Sequence, residues 1–195
     1  MLEANCLVLY KNTCAALVKA DGAKWQIRFP SPASKAGNIE FSVQSVREKD
    51  FVPLCEESAT SLEAALKFAE TCPRPEDRFN LEQSGEVFSQ IKECHELLVQ
   101  EGESEPLAFE DLASLFRGEF KADEAWGLYC ALKNTLFFKE TQSSPVPTFA
   151  PQNADEIAAL VAKNEGKQRE AQQRGAFIAR LKAKRILAAY LLCTH

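Results

Sequence analysis

The sequence predicts an α+β fold in which the strands come first and most of the helices follow. Apolar and polar residues alternate with a period of two up to about Leu54, and this alternation is typical of half-buried strands. From Ser61 onward the apolar residues recur at helical spacing instead. Beyond residue 152 a single helical pattern, the longest in the sequence, continues almost to the end of the chain.

Residues 1–56 are predicted to form a small β-barrel of the SH3-like class. Turns at Lys11–Thr13 and at Asp21–Gly22 separate short apolar runs, and Asp-Gly is a strong hairpin signal. The segment "KWQIRFP" alternates as a half-buried strand does, and the strand after it is expected to bend or bulge near Ser45. Three to five short strands fit a small barrel, which we expect to pack against the elements that follow.

Residues 57–84 are predicted to be a helical linker. Its helix, in "TSLEAALKFAETC", begins with a Ser/Thr capping candidate, and the two prolines of "PRPEDRFN" end it.

Residues 85–151 are predicted to form a winged helix-turn-helix-like domain. The segment contains a helix with Gly102 as its C-cap, a short helix in "PLAFEDLASLFRGEF", a third helix over 121–135, the strand "LFFKE" and a proline-punctuated return. Winged helices often read DNA grooves. The expected exposed face of the third helix is nearly neutral, however, which is unfavourable for groove binding. That face carries Lys121, Asp123, Glu124 and Lys133.

Residues 152–195 are predicted to be a long helical linker that ends in a basic and then apolar tail. An Asn/Asp cap opens it, and its polar middle is typical of a helix that bridges separate bodies. Residues 1–162 contain 15 Lys and Arg against 26 Asp and Glu, a net charge of −11, whereas residues 163–195 contain 8 against 2, a net charge of +6. The overall charge of an acidic body does not attract a polyanion, so any contact with nucleic acid would be limited to a local group of basic residues. The equally weighted alternative is that these charges only keep the tail solvated.

The residue patterns give no sign of catalysis or export. His95 lies beside apolar residues and is expected to be a satisfied, partly buried histidine, and its neighbour Cys94 points elsewhere on the same helix. The sequence contains neither a phosphate-binding GxxxxGK[ST] motif nor GxGxxG, and helix capping explains its acidic pairs. Seven scattered cysteines indicate reduced, mostly buried thiols. No apolar run is long enough to span a membrane, and no basic leader begins the chain. We therefore expect a cytoplasmic protein without a membrane partner, metal site or cofactor.

Two groups of residues are candidates for binding RNA. Aromatic side chains on a small barrel can stack bases, although a half-buried barrel core explains them as well and is the favoured interpretation. The candidates in the barrel are Lys24, Trp25, Arg28, Phe41 and Arg47. The candidates in the tail are Lys167, Arg169, Arg174, Arg180, Lys182, Lys184 and Arg185.

The order of these elements, together with "FEDLASLFRGEFKADEAWGLYCALKNTLFFKET" and "AKNEGKQREAQQRGAFIARLKAKR", resembles the N-terminal region of ribonuclease II-type (RNB superfamily) exoribonucleases. The resemblance covers about residues 1–186 and is greatest to the bacterial branch that begins with a helix-turn-helix. It implies Mg²⁺-dependent, processive 3′-to-5′ hydrolysis of RNA, carried out by carboxylates of a central domain. That domain would begin after this region, so none of its carboxylates can be placed on these positions, and Mg²⁺ is expected only there.

This resemblance leads to two hypotheses. In the first, the chain is a non-catalytic N-terminal fragment that binds single-stranded RNA or a partner protein, and "ILAAYLLCTH" is a terminus created by a frameshift, a stop codon or an introduced boundary. In the second, it is a stand-alone winged-helix protein that acts in protein–protein interaction or oligomerisation, with Ile186–Leu192 pairing with another protein or another copy.

Overall fold

A computed structural model describes residues 2–31, 40–55, 58–72, 86–116, 121–143 and 145–192. The chain separates into two units, residues 1–152, here called the body, and residues 153–195, here called the C-terminal unit. The predicted α+β class is confirmed, because the described residues contain α-helices and antiparallel sheets. The predicted boundaries within the body remain predictions.

The first sheet has the strand order β4-β3-β2-β1-β5. Its strands are β1 (Leu7–Tyr10), β2 (Thr13–Asp21), β3 (Lys24–Pro30), β4 (Phe41–Arg47) and β5 (Val52–Pro53). Both predicted hairpin turns are confirmed, since Lys11 and Asn12 lie between β1 and β2 with φ of 46° and 63°, and Gly22 lies between β2 and β3 with φ of 60°. Positive φ at both central positions belongs to the turn type whose twist matches that of the flanking strands. A 3-10 turn, Glu48–Asp50, connects β4 to β5.

The prediction of a bulge near Ser45 is wrong, because β4 contains none. β4 pairs with β3 in unbroken register, from Lys24 opposite Arg47 to Pro30 opposite Phe41. The register instead shifts in β2, between Leu17 and Lys19. The spacing of Val43 and Val46 suggested a bulge because both valines were assumed to face the core. In the structure Val46 is buried, whereas Val43 lies on the opposite face and is 55% exposed.

The two faces of the first sheet belong to two different apolar cores. The smaller core consists of residues of the sheet, of Cys6 just before β1 and of Phe51, with Trp25 and Phe29 packed at its edge. Its buried members are Cys6, Val8, Tyr10, Ala15, Leu17, Ile27, Val46 and Phe51. The larger core joins the opposite face of β1, β2 and β5 to the helices, as expected for a sheet too small to stand alone.

The helices of the body are α1 (Leu62–Thr71), α2 (Glu86–Gln100), α3 (Phe109–Phe116) and α4 (Ala122–Asn134). α1 lies against β2 and buries Ala65 and Ala69 in the larger core. The predicted N-cap of this helix is confirmed, because Ser61 Oγ accepts the backbone N–H of Ala64 at 3.1 Å. The predicted C-cap of α2 is confirmed as well, since Gly102 has φ of 77° and donates to the carbonyl of Val99.

A second antiparallel sheet, in the order β6-β8-β7, closes the body. Its strands are β6 (Leu107–Ala108), β7 (Phe138–Gln142) and β8 (Thr148–Pro151). α4 buries Trp126, Tyr129 and Leu132 in the larger core, where the Tyr129 ring meets Phe109 and Phe149 edge-on. Aromatic packing thereby joins α4 to the β7–β8 hairpin.

The C-terminal unit contains α5 (Ala154–Leu192), close to the predicted extent of the long helix. Its predicted N-cap is confirmed by reciprocal hydrogen bonds, in which Asn153 N donates to Glu156 at 3.0 Å and Glu156 N donates to Asn153 Oδ1 at 2.9 Å. None of the described α5 side chains between 154 and 180 is fully buried.

Candidate nucleic-acid interface

Four of the five barrel candidates lie on one face of the β3–β4 pair. Because the register is unbroken, alternate residues of the two strands form four cross-strand rows on this face. The rows are Lys24 with Arg47, Gln26 with Ser45, Arg28 with Val43, and Pro30 with Phe41. We call these eight residues the β3–β4 face. Successive rows are about 7 Å apart, since each is two residues further along the strands.

Trp25, the fifth barrel candidate, lies on the other side of β3. Its side chain packs against the smaller core beside Ile27 and Phe29. The sequence pattern treats Trp25 and Phe41 alike, but only Phe41 shares a face with the cations.

The far end of the β3–β4 face carries a stacked pair. The Arg28 guanidinium lies over the ring of Phe41, 5.7 Å from its centroid. Within the described residues, Nε of Arg28 is buried and has no hydrogen-bond partner. Val43, opposite Arg28, is exposed beside them. An arginine plane with neighbouring apolar groups is a surface on which a nucleobase can stack.

The near end of the face opens into a concavity of about 420 Å³. The residues lining it are Tyr10, Lys11, Lys24, Gln44, Ser45, Val46, Arg47, Asp50 and Pro145. Lys24, Ser45 and Arg47 are thus shared between the face and the concavity. Lys11 joins them from the β1–β2 turn, and Pro145 joins them from the loop between β7 and β8.

Several polar groups of this concavity form hydrogen bonds with one another. Asp50 Oδ2 accepts from Nε of Arg47 at 3.2 Å, and Tyr10 donates its hydroxyl hydrogen to Gln44 Oε1 at 3.0 Å. The Arg47 guanidinium beside Asp50 lowers the pKa of that carboxyl, so Asp50 remains charged at neutral pH. Lys11 Nζ lies 5.1 Å from the centroid of the Tyr10 ring.

Lys11, Gln44 and Asp50 were not identified by sequence reasoning. Lys11 and Lys24 lie at opposite ends of β2, and contacts across the smaller core, from Tyr10 to Gln44 and to Phe29, accompany their meeting at one concavity. The one local signal is the tight turn after Tyr10, which holds the Lys11 side chain at the end of a hairpin.

The tail candidates lie on α5, in the other unit. Lys167, Arg169, Arg174 and Arg180 are all exposed, and Arg169 forms an ion pair with Glu165 at 3.1 Å. Lys182, Lys184 and Arg185 belong to the same helix, but their side chains lie outside the described residues.

The histidine and cysteine candidates have structural roles. His95 is 8% exposed, and its Nε2 lies 2.7 Å from the carbonyl oxygen of Gln152, which confirms the predicted satisfied histidine. Its ring packs against Phe137 and Phe138. Cys130 is buried in the larger core, as expected.

Cys14 is a second buried thiol of the larger core. A hydrogen bond between the thiols of Cys14 and Cys72, together with burial, raises the pKa of Cys14 well above its ordinary value. Cys14 therefore stays protonated at neutral pH and is a poor nucleophile.

The outer face of α4 is less charged than predicted. Lys133, expected to be exposed, is half-buried and forms an ion pair with Glu140 of β7 at 3.0 Å. Glu124 accepts the backbone N–H of Lys121 at 3.2 Å, which confirms that this acid caps the helix.

In the described parts of the chain, no three His, Cys, Asp or Glu side chains meet in an arrangement suited to a metal ion. No helix within those parts combines the length and apolar composition needed to cross a bilayer. Comparison of the chain with protein-family models, curated proteins and solved structures found no significant match.

Proposed function

We propose that this chain is an accessory module that binds single-stranded RNA along the β3–β4 face. The observation that carries the proposal is the convergence of Lys24, Arg28, Phe41 and Arg47 on that face. It offers cations at one end and a stacking surface at the other, which is the combination that proteins use to bind single strands with little sequence preference.

The spacing of the rows supports an extended strand as the ligand. Rows about 7 Å apart allow successive nucleotides to lie over successive rows. The Lys24–Arg47 row then contacts a phosphate, the Gln26–Ser45 row donates hydrogen bonds, and a base stacks near Arg28 and Val43. In a duplex the bases are paired and stacked inside the helix, so they could not stack on this face.

The exposed cations of α5 add a second, electrostatic contact in this proposal. Lys167 and Arg174 are seven residues apart on the helix, so they lie on nearly the same side, about 10 Å from one another. Cations spaced along one helix can follow a flexible phosphate backbone without reading its sequence.

The finer fold assignment is part of the proposal. An SH3-like barrel is supported by the register shift in β2, because a bulged strand bends and lets the sheet curve over its smaller core. A winged helix is supported by the order helix, strand, helix, helix, strand, strand from α2 to β8. We propose that the two form the N-terminal region of a ribonuclease II-type exoribonuclease, with the nuclease domain encoded after this region.

RNA binding is tested by fluorescence anisotropy with a labelled, unstructured oligonucleotide at salt concentrations from about 50 to 200 mM. Lys24→Ala combined with Arg47→Ala is expected to weaken binding and to reduce the slope of log affinity against log salt by about 0.7 for each lost phosphate contact. Lys92→Ala is the matched control, because Lys92 is an exposed lysine on α2, which packs mainly against α3, α4 and β8. Absence of binding at the lowest salt would refute the proposal.

The accessory role and the family assignment need separate tests. Labelled RNA incubated with the purified chain and Mg²⁺ is expected to remain intact, and progressive shortening from the 3′ end would contradict a non-catalytic role. The genomic DNA that follows the codon of His195 is expected to encode a nuclease domain. A gene for an unrelated protein at that position would contradict the family assignment.

One observation favours the second candidate function, protein–protein interaction or self-association through α5. Phe177 and Ile178 are neighbours on this helix and are 55% and 43% exposed, and adjacent exposed apolar side chains can form part of an association surface. Sedimentation velocity over a range of protein concentrations measures self-association directly. Loss of a concentration-dependent dimer in Phe177→Glu/Ile178→Glu would support this function, and a monomer at every concentration would argue against self-association.

A further inference from the structure

The concavity at the Lys24–Arg47 end of the β3–β4 face differs in charge and shape from the open face beside it. We infer that it binds the terminal phosphate of an RNA strand, a phosphomonoester, rather than an internal phosphodiester. The inference rests on the proposed RNA-binding function, since the same face supplies the path along which the strand reaches the concavity.

The charge of the concavity matches a terminal phosphate. Lys11, Lys24 and Arg47 contribute three positive charges and Asp50 contributes one negative charge, so the lining has a net charge of +2. Among the described residues, Asp50 is the one carboxylate that forms an ion pair with any of these three cations. An internal phosphate carries a single negative charge, whereas a phosphomonoester carries about −1.5 to −2 at neutral pH. Only the phosphomonoester carries enough negative charge to neutralise the net charge of +2 of the lining.

Two polar groups of the lining offer donors, the Gln44 amide and the Arg47 guanidinium. Gln44 Oε1 accepts the Tyr10 hydroxyl, and the NH₂ of the same amide supplies a donor. Asp50 engages Nε of Arg47, which leaves the two Nη groups of the guanidinium as donors. A terminal phosphate has more acceptor oxygens than a phosphodiester and can use more of these donors.

The shape of the concavity also suits the end of a chain. Its volume of about 420 Å³ falls in the range of small-molecule sites and is sufficient for about one nucleotide. Pro145, from the β7–β8 loop, also lines it and contributes an apolar ring without a backbone donor. A divalent cation is disfavoured as an occupant by the positive lining.

Three oligonucleotides of one sequence test the inference, with a 5′-phosphate, with a 3′-phosphate, or with hydroxyl groups at both ends. We expect one phosphorylated form to bind about tenfold more tightly than the hydroxyl-ended form, and comparison of the two shows which end is bound. Equal affinity of all three would overturn the inference while leaving the proposed function intact. Failure of all three to bind would overturn both.

A variant that lies in the concavity but outside the β3–β4 face separates the two sites. Lys11→Asn removes one cation and retains a residue that tolerates the positive φ of this turn. It is expected to abolish the preference for the phosphorylated end and to leave the affinity for hydroxyl-ended RNA unchanged. An equal loss for both RNAs would overturn the inference, and Lys92→Ala on α2 serves as the control for the loss of an exposed lysine outside the face and the concavity.

Inorganic phosphate provides a second readout. At constant ionic strength it is expected to compete with the phosphorylated end and to remove the tenfold advantage, while hydroxyl-ended RNA, which shares only Lys24 and Arg47 with the bound phosphate, is weakened much less. If it weakens both RNAs equally, the concavity has no particular affinity for a phosphomonoester and the inference fails.

Discussion

The hydroxyl of Tyr129, near the middle of α4, donates a hydrogen bond to Oδ1 of Asn12 in the turn between β1 and β2. The two residues are 117 positions apart in sequence, and their hydrogen bond links the first sheet to α4. Asn12 adopts a positive φ, so the turn that presents its side chain is itself specified by local sequence. The same turn carries Lys11 at the concavity.

Tyr129→Phe is expected to lower the free energy of unfolding by about 1–2 kcal/mol, because it leaves the Asn12 oxygen without its donor. Urea denaturation followed by circular dichroism measures this change. Asn12→Gly removes the acceptor and retains a residue suited to positive φ. In the double variant the second substitution should have little further effect. Fully additive losses would show that the two side chains do not interact.

The ion pair between Lys133 and Glu140 is expected to stabilise the packing of α4 against β7. Their side chains are 15% and 20% exposed, so removing one partner leaves a poorly solvated charge. Lys133→Met is expected to lower the free energy of unfolding by about 1–3 kcal/mol. The exposed pair Lys92–Glu96 is the matched control, for which Lys92→Met should change stability by less than about 0.5 kcal/mol. Equal effects would mean that burial does not strengthen the first pair.

Stability is expected to decline at alkaline pH partly because of Cys14. Its pKa is raised in the folded state by the hydrogen bond with Cys72 and by burial, whereas an unfolded cysteine has a pKa of about 8.5. The folded protein therefore retains this proton at pH values where the unfolded chain has lost it. The resulting stabilisation is complete below about pH 8.5 and is lost as pH rises through the folded pKa.

Urea midpoints at pH 7.5 and pH 10 for the wild type and Cys14→Ala measure this contribution. The variant lacks the titrating thiol, so its midpoint is expected to fall less between the two pH values. A decline as steep as that of the wild type would show that Cys14 does not contribute to the pH dependence.

Asp50→Asn is expected to increase severalfold the affinity for RNA with the phosphorylated end that the concavity binds. The substitution removes the negative charge of the concavity and frees Nε of Arg47. Because Arg47 lowers the pKa of Asp50, the wild-type carboxylate remains charged at neutral and mildly acidic pH, and the difference between the two proteins should persist throughout that range. Anisotropy titrations at two pH values measure it. A weaker affinity would mean that Asp50 acts mainly by orienting Arg47.

Features that depend on a few neighbouring residues were predictable. The hairpin at Asp21–Gly22, the caps at Ser61 and Asn153 and the end of α2 at Gly102 all follow from local hydrogen bonding or from a positive φ. The satisfied environment of His95 was also foreseen, since a helix with apolar neighbours is usually buried on that side. Its partner, the carbonyl of Gln152, could not be identified because it lies 57 residues away.

Two features could be determined only from the folded structure: the face of the sheet on which each side chain lies, and which distant residues meet at one site. Trp25 and Phe41 fit the same alternating pattern, and strand pairing alone put one in the smaller core and the other beside Arg28. Likewise the sequence identified Lys24 and Arg47 as scattered cations, and register made them cross-strand neighbours. Local sequence specifies turns and caps because their partners are a few residues apart. A site assembled from Lys11, Lys24 and Arg47 depends on long-range strand pairing and on contacts across the smaller core, which no short segment encodes.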